Sequence, residues 1–273
     1  MANKAFLVDT VKCIGCRACQ VACKQWNNIP AEKTMFFGGT EYTNPGKLSV
    51  LTYNHVIFFN LDRSVPEKPV WTIMHKKCYH CEEANCMAVC PEKAISKIDG
   101  WVVIDQDKCI GCGACEEECI YNVPHVSDKE YGFLRTEKKI IKNRSYKCDA
   151  CSQDKRDIPA CAGICPTGAL TVDYRLKIIE TAEKRLKEIV KEFPDASIYG
   201  KEQFGGLNVI TLLKNRPEKY GLEIHPQSLE LGSVNKIKDI YTLLSIFTFA
   251  LPSLKRFAYR ISRFLAKGSE RAS

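Results

Sequence analysis

The apolar positions of this 273-residue chain change their period several times, and each period predicts a different element. Over residues 176–193, Ile178, Ile179, Ala182, Leu186, Ile189, Val190 and Phe193 recur at helical spacing until Pro194 ends the run, which reads as an amphipathic surface helix. Residues 91–108 alternate apolar and polar about Asp99-Gly100, a dipeptide suited to a tight hairpin turn, so two short strands are expected there. Residues 48–53, 56–61 and 70–75 are rich in β-formers and are expected to make a small sheet. Phe204-Gly-Gly-Leu-Asn-Val-Ile-Thr-Leu-Leu213 reads as a glycine turn entering a strand, and a double glycine alone does not argue for phosphate binding. Residues 120–147 are polar with aromatic interruptions and suggest only packing or partner contact.

The end of the chain is patterned differently. Residues 240–251 are apolar, about 18 Å as a helix against the roughly 30 Å of a hydrocarbon core. Pro252 can open a second helix. In it Leu254, Phe257, Ala258, Ile261, Phe264 and Leu265 line one face, and Lys255, Arg256, Arg260, Arg263 and Lys267 the other. Such a basic amphipathic tail suits either an anionic membrane surface or a partner subunit, and the charges at its midpoint argue against a full span.

Composition changes the picture at one point. An apolar content of 45% is ordinary, but sixteen cysteines are too many to be carried without a use, whether in disulfides, zinc sites or iron–sulfur clusters. The opening residues lack the apolar run of a secretory signal, which disfavours a disulfide framework and favours the cytoplasmic face. The formal charge is +8, and residues 254–273 alone hold six cations against Glu270. A charge this local argues against a nucleic-acid binder, with or without zinc. Four oxidised clusters with their thiolates would add about −8 and bring the loaded protein near neutrality.

The cysteines fall into four groups of four: Cys13, Cys16, Cys19, Cys23; Cys78, Cys81, Cys86, Cys90; Cys109, Cys112, Cys115, Cys119; and Cys148, Cys151, Cys161, Cys165. The first and third have the spacing Cys-x2-Cys-x2-Cys-x3-Cys of bacterial ferredoxins, whereas the second and fourth lengthen the middle gap. Three cysteines in one tight loop can reach three corners of a cubane. The fourth ligates the neighbouring cluster in two-cluster ferredoxins. Zinc also uses Cys-x2-Cys pairs, but it joins two separated pairs, while here eleven residues twice hold four cysteines. Four [4Fe–4S] clusters are therefore expected.

The short link between Cys90 and Cys109 pairs groups two and three, leaving one and four for each other. The expected ligand sets are Cys13, Cys16, Cys19 and Cys165; Cys148, Cys151, Cys161 and Cys23; Cys78, Cys81, Cys86 and Cys119; and Cys109, Cys112, Cys115 and Cys90. Pro166-Thr-Gly-Ala-Leu echoes Pro91-Glu-Lys-Ala-Ile, and Leu7-Val-Asp9 echoes Val103-Ile-Asp105, as a nested repeat requires. The expected fold is α+β, with two nested ferredoxin-like modules. Residues 1–23 with 146–175 form the outer module and 78–119 the inner one. A β-rich insertion (24–77), a connecting segment (120–145), a helix-and-strand extension (176–235) and a helical tail (236–273) complete the chain. His55, His75, His80, His125 and His225 are scattered and read as packing or surface residues. No catalytic constellation is present, so a non-catalytic subunit is expected.

Val8-Asp-Thr-Val-Lys-Cys13-Ile-Gly-Cys16-Arg-Ala-Cys19-Gln-Val-Ala-Cys23-Lys-Gln-Trp-Asn28 closely resembles the opening of the iron–sulfur (beta) subunits of formate dehydrogenases in the molybdopterin oxidoreductase superfamily. The likeness continues through Trp71-Thr-Ile-Met-His, Tyr146-Lys-Cys148, Cys165-Pro-Thr-Gly-Ala-Leu170 and Arg216-Pro-Glu-Lys-Tyr-Gly221. The cysteine framework is shared with beta subunits of dimethyl sulfoxide, polysulfide and nitrate reductases, and a hydrogenase could use the same wire. The resemblance implies a molybdenum or tungsten bis-pterin catalytic alpha subunit as one partner. It implies a cytochrome b, a quinone-linked subunit or a soluble acceptor as the other. Peripheral attachment to a membrane through residues 240–267 is the matching expectation for location.

Overall fold

A computed structural model describes residues 3–34, 36, 43–60, 71–131, 140–154, 156–223, 255–257 and 259–261. In chain order its elements are β1 (Lys4–Asp9), α1 (Ala18–Trp26), β2 (His55–Asn60), β3 (Trp71–Lys76), α2 (Asn85–Ala88), β4 (Ile95–Ile98), β5 (Trp101–Ile104) and α3 (Ala114–Glu117). There follow β6 (His125–Val126), β7 (Ser145–Tyr146), α4 (Ala160–Gly163), β8 (Leu170–Tyr174), α5 (Arg175–Ile189), β9 (Ser197–Tyr199) and β10 (Val209–Leu213).

The largest sheet has the order β8-β1-β10-β9, with β1 parallel to β10 and antiparallel to β8. Because side chains alternate across a strand, β1 divides its apolar residues between two layers. Ala5 and Leu7 meet Ile178, Ala182 and Ile189 of α5. Phe6 and Val8 face the other way, into a core shared with Cys19, Cys161, Trp101 and Leu170. The helical period read over residues 176–193 is thus a stripe laid on the back of the sheet, and the cysteines lie in front of it. Arg185 reaches past the edge to Asp9, Nε to Oδ2 at 3.2 Å.

The Asp99-Gly100 hairpin forms as expected, β4 against β5, with both turn residues at positive φ (51° and 89°). It is tied to the large sheet, since Lys4 N–H donates to the Asp99 carbonyl and Asn208 Nδ2 to that of Gly100. Segment 204–208 also clamps the second cysteine group, the N–H groups of Glu82 and Glu83 donating to the carbonyls of Gly206 and Phe204.

Among its described residues the β-rich insertion holds two strands, β2 and β3, and residues 48–53 do not form the expected third. Residues 48–53 form a turn closed by a Ser49–Thr52 bridge. The hydroxyls of Ser49 and Thr52 both donate to the Glu32 carboxylate, and Lys24 Nζ donates to the Leu51 carbonyl at 2.5 Å. Those side-chain bonds compete successfully with a ladder. The apolar run 240–251 lies outside the described residues, as do Arg263 and Lys267 of the basic face; Lys255, Arg256 and Arg260 are helical, and Lys255 Nζ reaches Glu92 Oε2 at 3.1 Å.

Candidate metal centres

The loops that carry the cysteines repeat one backbone device. The second residue between the first two cysteines of each group has positive φ: Gly15 (67°), His80 (50°), Gly111 (65°) and Ala150 (59°). That left-handed step turns the backbone back so that successive thiols face one centre. At Gly111 nothing larger fits, because a Cβ would stand 2.3 Å from the Asn143 carbonyl oxygen. Before two of the loops an aspartate sets the turn. Asp9 Oδ1 accepts from the N–H groups of Val11 and Lys12, and Asp105 Oδ1 from those of Asp107 and Lys108.

Four cysteines surround each of three apolar cavities. One, of about 290 Å³, is lined by Cys13, Cys16, Cys19 and Cys165 with Val56, His75 and Pro166. The next, of about 440 Å³, is lined by Cys78, Cys81, Cys86 and Cys119 with Tyr79, Val102, Phe204 and Lys147. A third, of about 350 Å³, is lined by Cys90, Cys109, Cys112 and Cys115 with Ile95, Ile104 and Ser145. In each, three cysteines come from one group and one from another. The remaining four come together as well, since the Cys23 thiol is raised first by burial and then by Cys148, Cys161 and Cys151.

All sixteen cysteines are free. Among the described residues no three His, Cys, Asp or Glu side chains converge on a single ion. Three of the quartets instead line volumes large enough for a four-iron cubane with its sulfides. Burial pushes most of the thiols up, to about 12 at Cys19, Cys112 and Cys115 and about 11 at Cys151, so taking up a metal must release protons. Cys165 differs. Its burial is outweighed by the N–H groups of Leu170, Thr167 and Ala169 and the Thr167 hydroxyl, and its pKa falls.

Polar groups already aim at the sulfurs. Ala94 N–H donates to Cys90 Sγ at 3.3 Å, and Ser145 N–H to Cys109 Sγ at 3.4 Å. The Ser145 hydroxyl lies 3.3 Å from Cys115 Sγ. Ala150 N–H donates to Cys148 Sγ at 3.4 Å. His75 stands between two sulfurs, Nε2 at 3.4 Å from Cys13 and Nδ1 at 3.8 Å from Cys19. Burial, aided by Lys77, lowers its pKa to about 3, so the ring is neutral and donates to one sulfur at a time. Nothing in the histidine spacing pointed to His75, and residues 120–147, read as packing or partner contact, supply Ser145 and Lys147. The fourfold Lys-Cys step was the available signal for the lysine.

The sites adjoin one another. After burial, which is the main cause in each case, Cys161 raises Cys19, Cys78 raises Cys148, and Cys115 raises Cys86. These electrostatic influences run from the Cys13 set through the Cys148 set and the Cys78 set to the Cys109 set.

Two models of a 4Fe-4S dicluster domain match the chain, over residues 12–94 and 69–175. The chain is 34% identical over 235 residues to the nitrate-inducible formate dehydrogenase iron–sulfur subunit of Escherichia coli (strain K12), covering 83% of this chain and 74% of the relative. It is 31% identical over 277 residues to the formate dehydrogenase-O iron–sulfur subunit of the same strain, covering 98% and 85%. It is 29% identical over 240 residues to the hydrogenase-2 operon protein HybA of Escherichia coli O157:H7, covering 76% and 68%. Two dicluster domains and sixteen cysteines account for four [4Fe–4S] clusters. The chain belongs to the family of formate dehydrogenase iron–sulfur subunits and is the electron-transfer subunit of a formate dehydrogenase-like complex.

Proposed function

We propose that the chain is a linear wire of four sites in two nested ferredoxin-like modules. The ligand sets are Cys13, Cys16, Cys19 and Cys165; Cys23, Cys148, Cys151 and Cys161; Cys78, Cys81, Cys86 and Cys119; and Cys90, Cys109, Cys112 and Cys115. The observation that carries this is the lining of the three cavities, each with three cysteines of one group and the last cysteine of another. The nesting rests on matched pairs: β1 with β8 in the outer unit and β4 with β5 in the inner, α1 against α4 and α2 against α3.

When bound, each cluster accepts and passes on one electron. The chain's own residues keep most of the thiols out of water, donate hydrogen bonds to them and hold neighbouring sites within electrostatic reach of one another. These act on potential through hydrogen bonding, burial and local charge, since the ligand type is the same throughout.

One end of the wire serves a molybdenum or tungsten bis-pterin catalytic subunit that interconverts formate and carbon dioxide. The formate dehydrogenase relatives support that partner, while the likeness to HybA supports a second reading in which a hydrogenase feeds the same wire. The other end meets a cytochrome b, a quinone-linked subunit or a soluble acceptor. Peripheral docking to a membrane uses the basic tail; among the described residues no helix is long and apolar enough to cross a membrane.

Cysteine variants test the ligand sets. Cys119→Ala should remove the same electron paramagnetic resonance signal as Cys81→Ala, and a loss matching Cys112→Ala instead would overturn the pairing. Formate-dependent dye reduction by the purified complex, with mass spectrometry of the accompanying chain, tests the partner. Hydrogen-dependent reduction without formate activity would replace it with the second reading.

A further inference from the structure

Each cysteine group opens on a Lys-Cys step: Lys12-Cys13, Lys77-Cys78, Lys108-Cys109 and Lys147-Cys148. The four lysines do not share an environment. Lys12 and Lys108 are exposed, whereas Lys77 is 1% and Lys147 7% exposed. A buried ammonium is expensive unless charge or hydrogen bonds compensate it. Lys147 Nζ donates to the backbone carbonyls of Val102 and Cys148. Lys77 Nζ has no hydrogen-bond acceptor among the described residues and stands 3.0 Å from the centre of the Phe6 ring. Those partners are neutral.

With the sites loaded, the compensating charge is chiefly thiolate sulfur. Lys147 lines the cavity of Cys78, Cys81, Cys86 and Cys119, and its electrostatic partners are Cys78, Cys86, Cys148 and the Asp149 carboxylate. Lys77 Nζ, over the Phe6 ring, sits on the buried cluster that also holds Cys19 of the first site and Cys161 of the fourth, and the direction of its influence on Cys19, Cys23, Cys148 and Cys151 agrees with that placement. Among the described residues no lysine lines the cavity of Cys90, Cys109, Cys112 and Cys115.

We propose that Lys77 and Lys147 are fixed internal counter-charges of the wire, each making the clusters it faces easier to reduce, with the Cys109 set left without one. The idea rests on the ligand sets proposed above. Reduction adds a negative charge to a site closed off from water, and there a nearby cation stabilises the reduced state more strongly than it would in solvent. Lys12 and Lys108, one residue from equivalent cysteines, are screened by water and do little.

The test is potentiometric titration of the iron-loaded chain, followed by electron paramagnetic resonance, for wild type, Lys147→Met, Lys77→Met, Lys147→Arg and the surface control Lys108→Met. Lys147→Met should raise the oxidised-to-reduced ratio of the Cys78-set cluster about tenfold at fixed potential, equal to about 59 mV for one electron. Lys77→Met should do the same at the first and fourth sites. Lys108→Met should change no site by more than about twofold, and the arginine variant should stay near wild type. Equal shifts in Lys147→Met and Lys147→Arg, or none in either lysine-to-methionine variant, would overturn the proposal.

Should methionine lower the iron content, Lys77→Gln and Lys147→Gln keep a donor and replace it. Iron lost in every neutral variant but retained with arginine supports the counter-charge, and iron lost with arginine too refutes it. A wild-type chain holding well under sixteen irons would instead sink the cluster assignment, independently of the lysines.

Discussion

Replacing Gly111 by alanine should empty one metal centre and spare the others. The residue has φ +65°, and a Cβ there would meet the Asn143 carbonyl oxygen at 2.3 Å and its carbon at 2.4 Å. The left-handed backbone alone costs a non-glycine residue about 1–2 kcal/mol, and forcing a methyl into filled space adds about 1–3 kcal/mol. Contact at a normal distance requires Asn143 to retreat by roughly 1 Å. Asn143 is held, because its N–H donates to the Ser127 carbonyl while Ser127 N–H donates to that of Arg144. Any retreat therefore drags Ser145, whose N–H and hydroxyl address Cys109 and Cys115. The expected result is a loss of about 2–5 kcal/mol with about four irons fewer per chain. Gly113→Ala is the matched control, since φ there is +89° but nothing lies within 4 Å of the added methyl. It should cost about 1–2 kcal/mol and keep its iron. Iron analysis and thermal melting decide it. Full loading of Gly111→Ala, or equal damage from Gly113→Ala, would refute the argument.

Other outcomes follow from single contacts. Asp9→Ala removes a carboxylate only 2% exposed that holds Arg185 and the Val11 and Lys12 N–H groups; chemical denaturation should show a loss of about 2–4 kcal/mol, with Asp9→Asn milder. Ile178→Ala, 3% exposed behind the sheet, should cost about 2–5 kcal/mol and leave every cluster's spectrum unchanged. In iron-free protein, burial raises the thiols of Cys19, Cys112 and Cys115 from 9 to about 12, so the fold is favoured below pH 9 and loses stability as the pH climbs towards 12. Denaturation midpoints across that range should fall for the iron-free protein and stay flatter for the loaded one.

Much of this was legible in the chain because it is local. Cysteine spacing, the Asp99-Gly100 hairpin and the stripe of Ile178, Ala182, Leu186 and Ile189 each depend on neighbours a few residues away. Long-range choices were not legible. Residues 48–53 are rich in β-formers, yet the Glu32 carboxylate and the Lys24 ammonium turn them back. The pairing of β1 with β8 and β10 joins segments more than 160 residues apart, a distance at which local pattern carries no register. Lys77 and Lys147 have the same local sequence step as Lys12 and Lys108, and only tertiary burial separates them.

The place of β1 at the centre of the large sheet also constrains biosynthesis. Its hydrogen-bonding partners are residues 170–174 and 209–213, so the strand leading into Cys13 has nothing to pair with until most of the chain has left the ribosome. The β4–β5 hairpin needs no such wait, and the cysteines from Cys78 to Cys119 come together within their own segment, their clamp by residues 204–206 closing later. At ordinary translation rates the interval between Cys119 and Leu213 is on the order of ten seconds. During it, the first four thiols trail unsheltered and open to oxidation. A scaffold protein delivering iron and sulfide would therefore meet a chain whose middle is ready before its beginning.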